Sequence, residues 1–261
     1  MPPATQIPSS TPYAWPHDRT LSPTTTALLI IDMQHDFLST SGYLSTLSPT
    51  TSTRFTPLIP TIRTLLTSFR LAHFPVIHTR EGHAPSLSTV STRELHRSRV
   101  SGAQIGAQGP MGRFLIRGEA GHGIVPELAP LRDGAGAEVE VVIDKPGRGA
   151  FTNTELDAVL RARGVRNLVV CGVTADACVS STVREASDRG YDVLVVEDGV
   201  ESISDELKRW SLESITVEGG LFGVTANSQA VREAIENWID NSPHEEHSQL
   251  ERDNVHLATL L

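Results

Sequence analysis

The chain has 261 residues, 39% of them apolar and 20% charged, enough for one large α/β domain or two small ones with a substantial core. Its 22 basic and 31 acidic side chains leave a net charge of -9, so no surplus of Lys and Arg is available to neutralise phosphates, and neither a nucleic acid nor an anionic membrane is expected as a partner. The start of the chain has neither a basic end nor an apolar core, and no apolar run approaches membrane-spanning length, so no signal peptide and no membrane partner are expected.

Residues 1–20 are rich in Pro, Ser and Thr and read as an extended arm, with Tyr13 and Trp15 as its packing residues. A continuous apolar run over 26–31 predicts a buried parallel strand, and Asp32 stands directly after it. Leu58, Ile59, Ile62, Leu65, Leu66 and Phe69 have helical spacing and predict a crossover helix over 56–72, followed by a strand over 75–79. Residues 80–138 carry many glycines and prolines with interspersed apolar residues, the pattern of a lid or interface insert. A third strand is predicted over 139–143, with Lys145 just past it, then a helix over 154–163. A strand over 167–171 leads through Gly172 into a helix over 175–189, and a strand over 191–196 follows. A helix over 206–215, with Leu207, Trp210 and Ile203 facing inward, precedes a short strand over 221–225 and a closing helix over 227–239. The expectation is one domain over 21–240, a three-layer α/β/α doubly wound fold with a mainly parallel six-stranded sheet, and a polar tail over 241–261.

Cys171 and Cys178 are the only cysteines, too few for a disulfide scaffold or a structural zinc site and poorly posed to join each other, so a reducing, cytoplasmic compartment is expected. Cys178 falls in the first turn of a predicted helix, where the helix N-terminus favours a thiolate and free N–H groups can hold an oxyanion. Taken alone, it is equally well explained as a small buried hydrophobe. Asp32 and Lys145, however, follow two other buried strands. In a doubly wound sheet, ligands bind beyond the carboxyl ends of the strands where the strand order reverses. If the first strand is flanked by the third or fourth, a carboxylate, an ammonium and a thiol converge on one crevice as base, charge stabiliser and nucleophile.

Three segments carry a resemblance. Leu29-Ile30-Ile31-Asp32-Met33-Gln34-His35-Asp36-Phe37, Ile143-Asp144-Lys145-Pro146 with Ala150-Phe151, and Cys171-Gly172-Val173-Thr174-Ala175-Asp176-Ala177-Cys178-Val179 closely resemble the isochorismatase-like cysteine hydrolases. Pro12 to Pro16, His78 to His83 and Gly112 to Glu119 are similar to the branch that hydrolyses biuret, triuret and ureidoacrylate. The resemblance implies a cofactor-free amidohydrolase that releases ammonia from a small amide or ureido compound through a thioester. Asp32, Lys145 and Cys178 would be its catalytic residues, the N–H groups of Ala177 and Cys178 its oxyanion hole, and Val173–Thr174 a non-proline cis peptide. A homotetramer is implied as well. The alternatives are a vinyl-ether hydrolase of the isochorismate type, or a binding or assembly protein that keeps the fold.

Several positions depart from the pattern. Nicotinamidase-like relatives hold a metal with an Asp and two His after the second strand; Glu81, His83 and Ser86 stand here instead, so no metal is expected and His83 is assigned a surface or lid role. Glu218 replaces a common Gln and, as a substrate-binding carboxylate, would prefer N–H donors or a cation. Phe37 and Phe151, each shortly after a site strand, are candidate substrate walls and equally candidate core aromatics. Arg113 and Arg117 are candidates for an anionic substrate, a neighbouring subunit or solvent.

Overall fold

Apolar runs become interior strands because a strand covered on both faces has no polar side to show. In the computed structural model, which describes residues 5–133, 136 and 139–241, six strands form one sheet. They are β1 (Thr26–Ile31), β2 (Val76–Glu81), β3 (Val141–Lys145), β4 (Asn167–Val173), β5 (Asp192–Glu201) and β6 (Val224–Ala226). Their order is β3-β2-β1-β4-β5-β6 and every pairing is parallel. The tail predicted over 241–261 lies, beyond Asn241, outside the described residues.

The helix predicted over 56–72 is α4 (Leu58–Leu71), and three short helices, α1 (His35–Leu38), α2 (Tyr43–Leu47) and α3 (Thr51–Phe55), precede it in the stretch after β1. The insert contributes α5 (Thr92–Val100), and α6 (Leu156–Ala162), α7 (Ser180–Asp188), α8 (Asp205–Gly220) and α9 (Ser228–Asn241) complete the layers. Alternation along a strand sends neighbouring side chains to opposite faces. Thus Leu28 and Ile30 of β1 enter the core with α4 and α9, whereas Ala27, Leu29 and Ile31 enter the core with α6, α7 and α8. This is the three-layer doubly wound fold.

Two boundaries differ for a reason that bears on the site. The strands β2 and β3 run two residues past their apolar stretches, because the charged ends are paired across the ladder. Arg80 stands opposite Asp144 and bonds it at 2.7 Å, and Glu81 stands opposite Lys145. Lys145 is therefore the last residue of β3 rather than a loop residue. Trp210 of α8 and Ile203 just before that helix are exposed, contrary to the inward face assigned to them; Ser211 and Ile215 are buried instead. Trp210 points about 100° around the helix from Ser211, whose small side chain lets α8 settle on the sheet. The arm packs as Tyr13 and Trp15 suggest. Thr11 bridges Thr225 of β6 and closes that edge, Trp15 is fully buried, and the Tyr13 hydroxyl donates to Asp192 at 2.7 Å.

Glu140 shows how the outer strand is tied down. Arg70 of α4 bonds both its oxygens, at 2.7 and 2.8 Å, and His78 of β2 lies 3.0 Å away. Burial alone would raise this carboxyl, but the bonds from Arg70 and His78 outweigh it and hold the pKa at about 2, against 4.5 for the free group. A depressed acid stabilises the fold above its unfolded pKa, and the contribution disappears as pH falls through the folded one. Stability is expected to drop between about pH 4.5 and about pH 2, and the Glu140→Gln variant should flatten this limb. Urea unfolding across that range measures it; parallel limbs in the two proteins would refute the assignment.

Gly172 couples the fold to the site. Its φ is +115°, and a Cβ there would lie 2.1 Å from the carbonyl oxygen of Ile31. Gly172→Ala is expected to cost roughly 1–3 kcal/mol from backbone conformation alone, with the clash in addition. It should also separate β1 from β4, where the candidate site lies. An unchanged urea midpoint would count against this.

Candidate active site

The strand order places β1 between β2 and β4, and the sheet reverses direction of growth between β1 and β4. Asp32 leaves β1 at this point with a left-handed φ of 51°, a conformation aspartate tolerates better than bulkier residues. Its carboxylate is fully buried, meets the Lys145 ammonium at 2.7 Å and accepts the Thr79 hydroxyl at 2.6 Å. Lys145 is also fully buried and donates to the Gly147 carbonyl at 2.8 Å. Cys178 does not sit in an ordinary first helical turn. Residues Ala175–Val179 form a wide turn in which the Val179 N–H reaches back to the Thr174 carbonyl at 3.1 Å, a π-type bond of the kind often found at functional sites. The Val173–Thr174 peptide before it is cis.

Asp32, Lys145 and Cys178 thus meet at the crevice. They are joined by Glu81, whose place in the sequence suggested only a metal ligand. The Cys178 thiol donates to Glu81 Oε2 at 3.4 Å, and the Asp32, Glu81 and Cys178 donor atoms all lie within 4.8 Å of one another. Gln34 clamps the Glu81 backbone, accepting its N–H at 2.7 Å and donating to its carbonyl at 3.0 Å. The signal was present in the sequence: Glu81 is a carboxylate at the end of a buried strand, like Asp32, but the apolar run ends too early to show that the strand reaches it.

Two carboxylates and a thiol could ligate a metal. Here the Lys145 ammonium lies 2.7 Å from Asp32 and 3.6 Å from Glu81, so the protein's own cation takes the place a metal would need. His83 does not complete such a set. It is buried beneath the insert, not on the surface, with its backbone bonded to Leu115 and Arg117 and its Nδ1 3.3 Å from the Thr89 hydroxyl.

Burial controls the proton affinities. It raises Asp32, which the nearby Lys145 only partly offsets, and it raises Cys178 well above the usual thiol range. Burial would lower Lys145, but Asp32, Cys178 and Glu81 more than reverse this, and the ammonium keeps its proton. Cys178 therefore rests as a thiol, contrary to the thiolate expected from a helix N-terminus, because desolvation outweighs the helix dipole here. Cys171 is buried in the core, and burial likewise raises its thiol.

Other assigned residues lie elsewhere. The Ala177 N–H already donates to the Thr174 carbonyl at 3.1 Å, so it can serve an oxyanion only as a shared donor. Phe151 packs 5.7 Å from the Tyr191 ring with the Arg189 guanidinium 4.8 Å from its centroid, in the core beside α7, the second of the two places open to it. Phe37 is buried in the opposite core layer, on α1 directly after the Asp32 strand. Glu218 is exposed at the end of α8, one residue before a Gly219-Gly220 pair whose second glycine packs on Tyr13. It precedes β6, so it belongs to the amino ends of the strands, opposite the crevice. Arg113 and Arg117 are spent on backbone carbonyls of Gly106, Pro85, Gly82 and Asp144.

The sequence matches the isochorismatase domain family over residues 26–230. It is 32% identical to a ureidoacrylate amidohydrolase of Yersinia enterocolitica over 175 residues, covering 66% of this chain and 73% of that one. A ureidoacrylate amidohydrolase of Acinetobacter baylyi is 28% identical over 214 residues, 80% of this chain and 83% of the relative. Among solved structures, a cysteine hydrolase from Pseudomonas syringae pv. phaseolicola superposes with a TM-score of 0.67 at 26% identity, covering 84% of this chain and 95% of that one. Among the described residues, no helix is long and apolar enough to cross a membrane.

Proposed function

Because the chain belongs to the isochorismatase domain family, we propose that it is a cysteine-dependent amidohydrolase, cleaving a carbon–nitrogen bond of a small ureido or amide compound and releasing ammonia. The observation that carries this reading is the Lys145–Asp32 ion pair at 2.7 Å, set within 4.8 Å of a buried thiol at the reversal point of the sheet. The ureidoacrylate amidohydrolases among its relatives support the ureido class.

Asp32 is the base in this proposal. Its proton affinity, raised by burial, suits it to accept the thiol proton, while Lys145 keeps it ionised until then. Glu81 holds the Sγ–H in the resting state. The sulfur attacks the ureido carbonyl, and the oxyanion is met by the Cys178 N–H, with the Ala177 N–H shared from Thr174. Collapse breaks the C–N bond as Asp32 returns its proton to the departing ammonia, leaving a thioester. Asp32 then activates a water, which adds to the thioester carbon and frees the carbamate and the thiol.

Ammonia release from biuret, triuret, ureido acids, N-carbamoyl amino acids and nicotinamide tests the proposal. Turnover of a ureide by the wild type, lost in Cys178→Ala, is the expected result. Turnover unchanged in the variant would refute the thiol mechanism.

A further inference from the structure

The cations around the crevice differ in how far they are already committed. Lys145 is fully buried on Asp32, Arg80 pairs with Asp144, and Arg117 donates to two carbonyls. Arg148 is different. Its side chain is 32% exposed, one nitrogen lies 3.5 Å from Glu81 Oε1, and another bonds Glu94 of α5 at 2.7 Å. The other oxygen of the same Glu81 carboxylate accepts from the Cys178 thiol at 3.4 Å. The guanidinium thus sits one carboxylate away from the nucleophile, on the side facing the insert.

Its backbone is held firmly. Gly147 on one side accepts from Lys145 at 2.8 Å, and Gly149 on the other is so close to Glu185 that a Cβ would lie 2.2 Å from its oxygen. The Ala150 N–H donates to Thr182 of α7 at 3.1 Å. The partner of Arg148, by contrast, can be given up. Glu94 is bonded separately by Arg97, at 2.9 and 2.6 Å, so it stays paired when Arg148 turns away. A guanidinium with a rigid base, a replaceable carboxylate and a position beside the thiol is a receptor for a second carboxylate.

We propose that Arg148 is the specificity-determining residue that anchors the carboxylate of a ureido acid, the substrate's carboxylate replacing Glu94 on the guanidinium while its ureido carbonyl lies at Cys178. This rests on the ureide-hydrolase reading above and narrows its substrate class to anionic ureides. The four charges around the thiol, Asp32 and Glu81 against Lys145 and Arg148, sum to zero. An anionic substrate therefore enters a site that does not repel it, and it takes over a contact already formed with a carboxylate.

The test is binding of 3-ureidopropionate and of its neutral amide, by calorimetry, to the non-turnover Cys178→Ala protein with Arg148 intact or replaced. The acid is expected to bind at least about tenfold more tightly than the amide, and Arg148→Gln should remove this preference while Arg148→Lys retains part of it. Glu94→Gln breaks the same ion pair from the other side and leaves the cation in place. It should keep or increase the preference for the acid, whereas a merely structural latch would lose it as Arg148→Gln does. Equal binding of acid and amide with Arg148 intact, or loss of the preference in Glu94→Gln, would overturn the assignment. If ureides are turned over but the acid is not preferred, only the Arg148 anchor falls; if no ureide is bound or turned over, the proposed function itself falls.

Discussion

Replacing Cys178 by alanine is expected to lower ureide turnover by about 10⁴-fold or more, since groups that act together in covalent catalysis lose nearly all rate when the nucleophile is removed. The fold should survive. Cys178 is small and lies in a turn held by backbone bonds to Thr174 and by the Thr182 hydroxyl on its own carbonyl at 2.7 Å, none of which uses the sulfur. Ammonia release and urea unfolding, measured on the same preparation, separate the two effects. Asp32→Asn gives the complementary result. It keeps the shape and one acceptor but cannot take a proton, and a loss of about 10²–10⁴-fold is expected if Asp32 is the base. Glu81→Gln distinguishes the two carboxylates. Glu81 is the nearer to the sulfur in the resting structure, so a larger loss from Glu81→Gln than from Asp32→Asn would transfer the role of base to it.

Lys145→Met should have the largest effect on stability, about 3–5 kcal/mol, because it removes one partner of a buried ion pair and leaves the other without a counter-charge. Asp32 and Lys145 are both fully buried, so solvent cannot take over as partner. Asp32 could limit the cost only by taking up a proton, which also ends its use as a base, so activity should disappear together with stability. The double variant Lys145→Met with Asp32→Asn is the decisive control. With neither charge buried, it should recover much of the lost stability while remaining inactive. Equal urea midpoints for the single and double variants would show that the cost arises from packing around the methionine rather than from an isolated charge.

The difference between these two predictions reflects what the residues are for. In the proposed mechanism Cys178 contributes a reacting atom and little else, so its removal should cost rate. Lys145 neutralises a buried carboxylate, and its removal should cost rate and fold together. Arg148, partly exposed and paired with a carboxylate that has another partner, belongs to a third class in which a change alters ligand preference.

Much of this protein could be read from its sequence. Buried parallel strands announce themselves as unbroken apolar runs, and the charged residues at the ends of such runs, Asp32 and Lys145, are costly enough there to require an explanation, which then draws in Cys178 after a third strand. Strand and helix alternation then implies a doubly wound sheet, and the end of the sheet at which those residues lie. What the sequence could not supply was where the paired backbone ends. Pairing in β2 and β3 continues through Arg80, Glu81, Asp144 and Lys145 because each charge meets an opposite one across the ladder or in the crevice, and apolar periodicity carries no record of that. Glu81 was therefore missed as a neighbour of the thiol, and Arg148 as a cation beside it. That Phe151 takes its core alternative and Glu218 lies away from the crevice has a related reason. Distance along the chain from a site residue does not determine direction: Phe151 packs on Tyr191 beside α7, and Glu218 lies at the opposite end of the sheet. The sequence by itself determined the fold class, the end of the sheet at which a crevice would form, and Asp32 and Lys145 as two charges whose burial requires a partner. Only the tertiary structure decided the resting protonation of the thiol and which charges face one another, because both depend on desolvation and on distances between segments far apart in the chain.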